Sequence, residues 1–239
     1  MRAWLWAAML IVLAAAIGVA CGGGGGDGEA EPTPDRPTLE AMLTEISLKV
    51  EDLPSALGGF GATEPGAFTE NAQVAETDPE GPTAALERLN GWGRLLGHAS
   101  EFLVTDTLGT LTNGGTAMIR ANVSIFADEE GAKEAVAWGR DLLSDPAKAN
   151  TMIPTVSNLE GGPISFPTIG DETVASEFTG KTQPEGVQIT IDFDAQIVVI
   201  RNGKGVAYLT VGAIGGAKPG PEVEELIRLL NDRLGQALE

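Results

Sequence analysis

The sequence predicts an α+β fold: a largely antiparallel sheet covered on one face by helices, in a two-layer sandwich. Three stretches carry that expectation. Ala117, Ile119, Ala121, Val123 and Ile125 alternate with Met118, Arg120, Asn122 and Ser124, the period of a half-buried strand with one wet face. Val187 to Ile200 and Val206 to Ile214 are joined through Arg201-Asn202-Gly203-Lys204, and Asn-Gly between two β-branched runs favours a type I′ hairpin turn. Val223, Leu226, Ile227, Leu230, Leu234 and Leu238 form a stripe of helical period that needs a sheet to cover. Because hairpins rather than crossovers link the strands, the sheet is expected to be antiparallel.

The remaining elements follow in order. Thr38 is placed to cap a short helix to Leu48 carrying Leu39, Met42, Leu43 and Ile46 on one face. Lys49 to Pro54 reads as extended, since Pro54 biases Leu53 away from helix. Leu57 to Pro82 is rich in Gly, Pro, Thr and acids and reads as a long surface loop, a place where binding could sit or a loop with no ligand. Thr83 to Asn90 gives a turn or two of helix. Trp92 to Thr105 and Thr116 to Phe126 then pair across Asn113-Gly114-Gly115. Asp128 caps a helix with Ala132, Ala135, Val136, Leu142 and Leu143 inward and Gly139 as a weak point. Asn150 to Pro167 reads as a second loop, punctuated by prolines.

Gly170-Asp171-Glu172 turns the chain into a strand over Thr173 to Thr179, with Val174 and Phe178 on its inner face. Asp192 and Asp194 alternate with Ile191, Phe193 and Ala195, so their carboxylates are expected to share the solvent face. Ile197 to Ile200 is apolar on both faces, as in the middle of a covered sheet. Pro221 opens the last helix, with Glu222, Glu224 and Glu225 at the positive end of its dipole. A hairpin followed by a helix occurs from Trp92 to Asp141 and again before Leu238, which leaves room for a weak internal repeat.

Ahead of this body stands a different kind of segment. Arg2 is the sole charge before Asp27, and Ala3 to Ala20 are all apolar or Gly, closing on Gly18-Val19-Ala20-Cys21. A charged start, an apolar core and small residues before a cut describe an export signal over residues 1–20. Cys21, the sole cysteine, stands where the bacterial lipobox places the acylated residue, although Gly18 takes the position where Leu is usual. An uncleaved span is the alternative, because eighteen apolar residues fall within the ~17 to 25 that cross a bilayer. Two or more acyl chains give a stable anchor where one does not, so lipidation of Cys21 implies a membrane partner. One cysteine also rules out an intramolecular disulfide. Residues 21–37 combine a glycine run, acids and three prolines in a tether with a reach of roughly 20 to 25 Å, and residues 38–239 suit one globular domain.

The chain carries 15 Lys and Arg against 34 Asp and Glu, a formal charge of −19. Loss of Arg2 with the signal leaves 14 against 34, or −20. Such a body repels nucleic acid, so no nucleic-acid partner is expected. No Gly-x-Ser-x-Gly, phosphate-loop or dinucleotide pattern occurs. His98 is the single histidine, which excludes a His-rich metal site and leaves a hydrolase triad only that residue to recruit. Asp192 with Asp194 lacks the ligand-rich spacing of a calcium loop and reads as a solvated strand face. No catalytic, metal or cofactor residues are assigned, and the one site residue is Cys21, for lipidation.

Asp52-Leu53-Pro54 with Gly59-Phe60, Trp92-Gly93-Arg94 with Gly97 and Phe102, Phe126 leading into Gly131-Ala132, Gly170-Asp171-Glu172, and the Arg201 to Ala207 hairpin together resemble marks of bacterial surface lipoproteins. In layout the chain is similar to PsbP-like lipoproteins and to the sensor-type extracellular domains of receptor kinases. The resemblance implies an exported, non-catalytic module with an antiparallel sheet flanked by helices, and it transfers no catalytic residues. Two function classes follow: an envelope-anchored binding module that contacts an envelope protein or polymer through residues 57–82 and 150–167, or a carrier of a small ligand or lipid between sheet and helices. A hydrolase is a distant third. Replacing Cys21→Ala is expected to abolish incorporation of radiolabelled palmitate, and continued labelling would refute the anchor.

Overall fold

The computed structural model describes residues 33–55, 59–62, 66–78, 80–150, 153, 155–183 and 190–239. The segments expected to be an export signal and the start of a tether, with Cys21 between them, lie outside these residues. Among the described residues no helix is long and apolar enough to cross a membrane.

Helix α1, Arg36–Ile46, is capped by Asp35, whose side chain accepts from the Thr38 backbone N–H, so the cap sits three residues before the expected one. Val50–Asp52 forms a 3₁₀ turn where an extended segment is expected. It is fixed by Arg233 near the end of the chain, whose guanidinium donates to both Asp52 oxygens at 2.7 and 2.8 Å and to the Ser47 carbonyl at 3.1 Å. Within the expected 57–82 loop lie strands β1, Phe60–Ala62, and β2, Ala67–Thr69, then helix α2, Asn71–Glu76. Both strands are only three residues long. They fall below the length at which alternation can be read, and they form because the next strand would otherwise present a bare edge.

Helix α3, Pro82–Gly91, leads to β3, Arg94–Val104, which pairs antiparallel with β4, Gly115–Phe126. Their connection is not a tight Asn-Gly turn. Asp106 caps a short helix α4, Thr107–Asn113, and Gly114 ends it at φ 72°. Asp128 caps α5, Glu129–Leu143, as the sequence predicts, accepting from the Gly131 N–H at 2.9 Å. The weak point at Gly139 has a packing reason: a Cβ there would stand 2.9 Å from the Tyr208 hydroxyl, which donates to the Ala135 carbonyl. Helix α6, Pro146–Ala149, precedes the second expected loop, and β5, Val156–Pro163, lies within it. Strands β6, Glu172–Thr182, β7, Ile191–Asn202, and β8, Gly205–Ile214, and helix α7, Glu222–Leu238, complete the chain.

The sheet runs β1-β3-β4-β8-β7-β6-β5, with β2 also on β3, and every pairing is antiparallel. The β7–β8 hairpin closes one residue later than expected. Asn202 pairs with Gly205, so Gly203 and Lys204 are the central residues. Of these only Gly203 has positive φ, at 55°, which is the φ pattern of a II′ rather than a I′ turn.

The α+β class and the antiparallel sheet are as the sequence predicts, but the helices divide between both faces. On the front face, Val198, Ile200, Ala207 and Leu209 pack with Ile119, Ala121 and Val123 against Leu43 and Ile46 of α1 and Leu226, Ile227 and Leu230 of α7. On the back face, Ile197, Val199, Val206 and Phe178 pack against Ala132, Ala135, Val136 and Leu143 of α5. The body therefore has three layers rather than two. Neighbouring antiparallel strands such as β4 and β8 are exchanged by a twofold axis normal to the sheet, which keeps each helix on its own face. With α5 and α7 on opposite faces, the two hairpin-helix units do not repeat by symmetry.

Leu230 has no exposed surface whereas Leu108 is 75% exposed. Leu230→Ala is expected to cost about 2 to 5 kcal/mol in denaturant unfolding, and Leu108→Ala to stay within about 0.5 kcal/mol of the parent protein.

Candidate functional site

Three polar arrangements stand out from this apolar frame, and each answers a question the sequence raises. The first concerns His98. Its ring is buried on the front face of β3, edge-on to Phe68 of β2 at 5.2 Å between centroids. Its Nδ1 lies 2.7 Å from the Ser47 hydroxyl at the end of α1, and its other side hydrogen-bonds the Gly66 backbone. The Ser47 hydroxyl has one hydrogen and two partners, the Leu43 carbonyl, to which it donates at 2.7 Å, and His98 Nδ1, so the direction of the Ser47–His98 bond follows the tautomer of the ring. A hydroxyl against an imidazole is half of a nucleophile–base pair. The third position holds backbone, with no carboxylate bonded to the ring among the described residues, and Ser47 is itself buried. The pair works as a pin holding α1 and β2 onto β3.

The second arrangement is Arg94, buried on the back face at the start of β3. Its Nε donates to the Ser124 hydroxyl at 3.0 Å, and one terminal nitrogen donates to the Thr69 carbonyl and the Asn71 side chain at 3.0 and 2.9 Å. The other terminal nitrogen donates to the Thr69 hydroxyl at 2.8 Å. Among the described residues no carboxylate comes within ion-pair distance, so desolvation pushes the guanidinium pKa down to about 10. Gly97 makes the placement possible, because a Cβ there would overlap the guanidinium. Composition gives no hint of a buried cation without an acid in so negative a chain. The one sequence trace is the glycine three residues after the arginine.

The third is the groove at the far end of the front face, beyond the start of α7. The register sets Glu160 of β5, Thr179 of β6, Asp194 of β7 and Ala213 of β8 in one row across the sheet, side chains on a common face. Above the row lies an open depression of about 350 Å³, with Asn158 and Gly216 at its lip. Asn158 is in the left-handed region at φ 54°, within the β-bulge that interrupts β5 between Ser157 and Glu160.

Asp192 and Asp194 do share this face, but the expectation that both carboxylates are solvated fails for Asp194, which is 7% exposed. Its neighbours carry their own counter-ions: Lys181 bonds Asp192, and Lys218 reaches Glu177 at 2.9 Å. The Asp194 carboxylate makes no hydrogen bond or ion pair among the described residues. Desolvation raises its pKa, with repulsion from Glu177 and Asp192 in the same direction and Lys218 opposing. Among the described residues no three His, Cys, Asp or Glu side chains are grouped to hold a metal ion. A second open depression of about 350 Å³, lined by Arg36, Glu70, Asn71 and Leu95, has its charges matched, as Arg36 bonds both Glu40 and Glu70.

The His98 pin sets a pH dependence. Burial lowers the folded-state pKa below the ordinary value near 6.5, so between the two values the unfolded chain binds more protons than the native one. Stability is therefore expected to fall as pH drops through about 6.5, and His98→Gln to remove that share of the slope in thermal unfolding measured from pH 7.5 to 5.5. Parallel pH profiles for the two proteins would refute the assignment.

No protein-family model matches the chain, and no curated protein matches it by sequence. Among solved structures the fold is similar to the crystal structure of the extracellular domain of PknH from Mycobacterium tuberculosis, at a TM-score of 0.47 and 10% sequence identity, over 82% of this chain and 96% of that one.

Proposed function

We propose that this chain is an extracytoplasmic lipoprotein, held to the membrane by acyl chains on Cys21, whose α+β body binds a partner rather than transforming one. The observation that carries the binding reading is Asp194. Most of the residue is shielded, its carboxylate has no internal partner, and it lines an open groove where an outside group reaches it. The Ser47–His98 pair supports a non-catalytic reading, since its geometry serves packing and both residues are buried. A carrier needs an apolar cavity between sheet and helices. Leu43, Ile46, Leu226, Ile227 and Leu230 instead fill that space on the front face, and Val136 and Leu143 fill it on the back.

The test is affinity purification of the full-length protein from its own membranes in detergent, at low salt and again at 1 M NaCl. Contacts made through an acidic groove are screened at high ionic strength, so a partner enriched at low salt and released at high salt is expected. Recovery of the protein with a stoichiometric lipid that only organic solvent extracts would favour the carrier instead, and no enriched partner would overturn the reading.

A further inference from the structure

We infer that the groove over Glu160, Thr179 and Asp194 is a binding site for a single primary ammonium group. This rests on the reading of the chain as a binding module and names the chemistry of what it binds. Charge matching along the sheet singles out one residue. Of the acids in and beside the groove, Asp192 is taken by Lys181 and Glu177 by Lys218, while Glu160 stands exposed at the rim where water solvates it. Asp194 alone is both buried and without a partner among the described residues. One unpaired carboxylate, shielded on most sides and open to the groove, leaves a place for one positive charge.

The type of cation follows from the donor set. Calcium takes six to eight oxygens and magnesium a full octahedron, and no group of three acidic or metal-ligating side chains stands close enough to supply them among the described residues. An ammonium group carries three N–H donors and no acceptor. The row offers it the Asp194 carboxylate on the floor, the Thr179 hydroxyl directly across on β6 and the Glu160 carboxylate beyond that on β5. Flanking lysines do not fill the place, because Lys218 is held at 2.9 Å by Glu177 and Lys181 is bonded to Asp192. Desolvation, with repulsion from Glu177 and Asp192, raises the pKa of this carboxyl, in keeping with a charge left to be matched from outside. A lysine side chain of a polypeptide and a free alkylamine share this head group.

Isothermal titration of the full-length protein in detergent separates the alternatives. N-acetyl-lysine amide and n-butylammonium chloride are titrated at constant ionic strength, with N-acetyl-norleucine amide and calcium chloride as comparisons. Saturable binding of an ammonium probe, none of norleucine amide, and at least tenfold weaker binding to Asp194→Asn are expected. Affinity should also fall as pH drops through the raised Asp194 pKa. Tighter binding of the lysine amide identifies a polypeptide side chain as the source, and tighter binding of butylammonium a free amine; either supports the site. Equal binding to Asp194→Asn, or displacement of the probe by calcium at lower concentration, would overturn it.

Asp194→Asn removes an unpaired carboxylate, so it should unfold at no lower temperature than the parent protein. Should it fail to fold, Thr179→Val with a tenfold loss serves in its place, and an unchanged affinity there overturns the site. If a salt-released membrane partner is retained by Asp194→Asn while ammonium fails to bind, this inference falls and the binding module stands. If ammonium binds through Asp194 but no membrane partner is found, the reverse holds.

Discussion

Four consecutive residues, Ile197 to Ile200, have no exposed surface, and the architecture follows from that constraint. Successive side chains of a strand point to opposite faces. Burying all four therefore requires cover on both sides of β7 at the same height. Helix α7 supplies it on the front with α1 beside it, and α5 supplies it on the back. A central strand also has to be flanked, and β6 and β8 pair with it along nearly its whole length. What lies far from this centre is progressively less apolar. The sheet ends in short edge strands on one side and in the bulged, glycine-containing β5 on the other.

The long elements are legible because their pattern outlasts any local exception. The alternation over β4, the α7 stripe and the Asp128 cap all occur where residue spacing places them. The layer count differs from expectation even though the decisive residues are in plain view. Ile197 to Ile200 already demand cover on both faces, yet the hairpin-helix order favours the simpler stack. Short elements escape for a different reason. Residues 60–62 and 67–69 become strands only because β3 offers an unpaired edge, and that is a tertiary fact with no local signature.

Of the candidate site, periodicity reveals the shared face of Asp192 and Asp194 but not their unequal burial. Two residues apart on one strand, they differ in their ladder neighbours: Asp194 is flanked by Thr179 and Ala213, whereas Asp192 lies beyond the paired end of β8 and is flanked only by Lys181. Arg94 and Asp194 make an instructive contrast. Both are buried charges without an opposite charge inside ion-pair distance. Arg94 is stabilised by four hydrogen bonds to neutral acceptors and thereby belongs to the scaffold. Asp194 has no such support. A buried polar group that is fully satisfied rigidifies its surroundings, and one left open is available to a ligand.

The first and last helices lie side by side, and Arg233 fastens the turn after α1 to α7 through both oxygens of Asp52. Pulling α1 away would break that ion pair together with the Ser47–His98 bond and the burial of Leu39, Leu43 and Ile46, because α1 is held to α7 and to the sheet at once. A pull on the N-terminal end of the body would therefore load the front-face helices and β3 together.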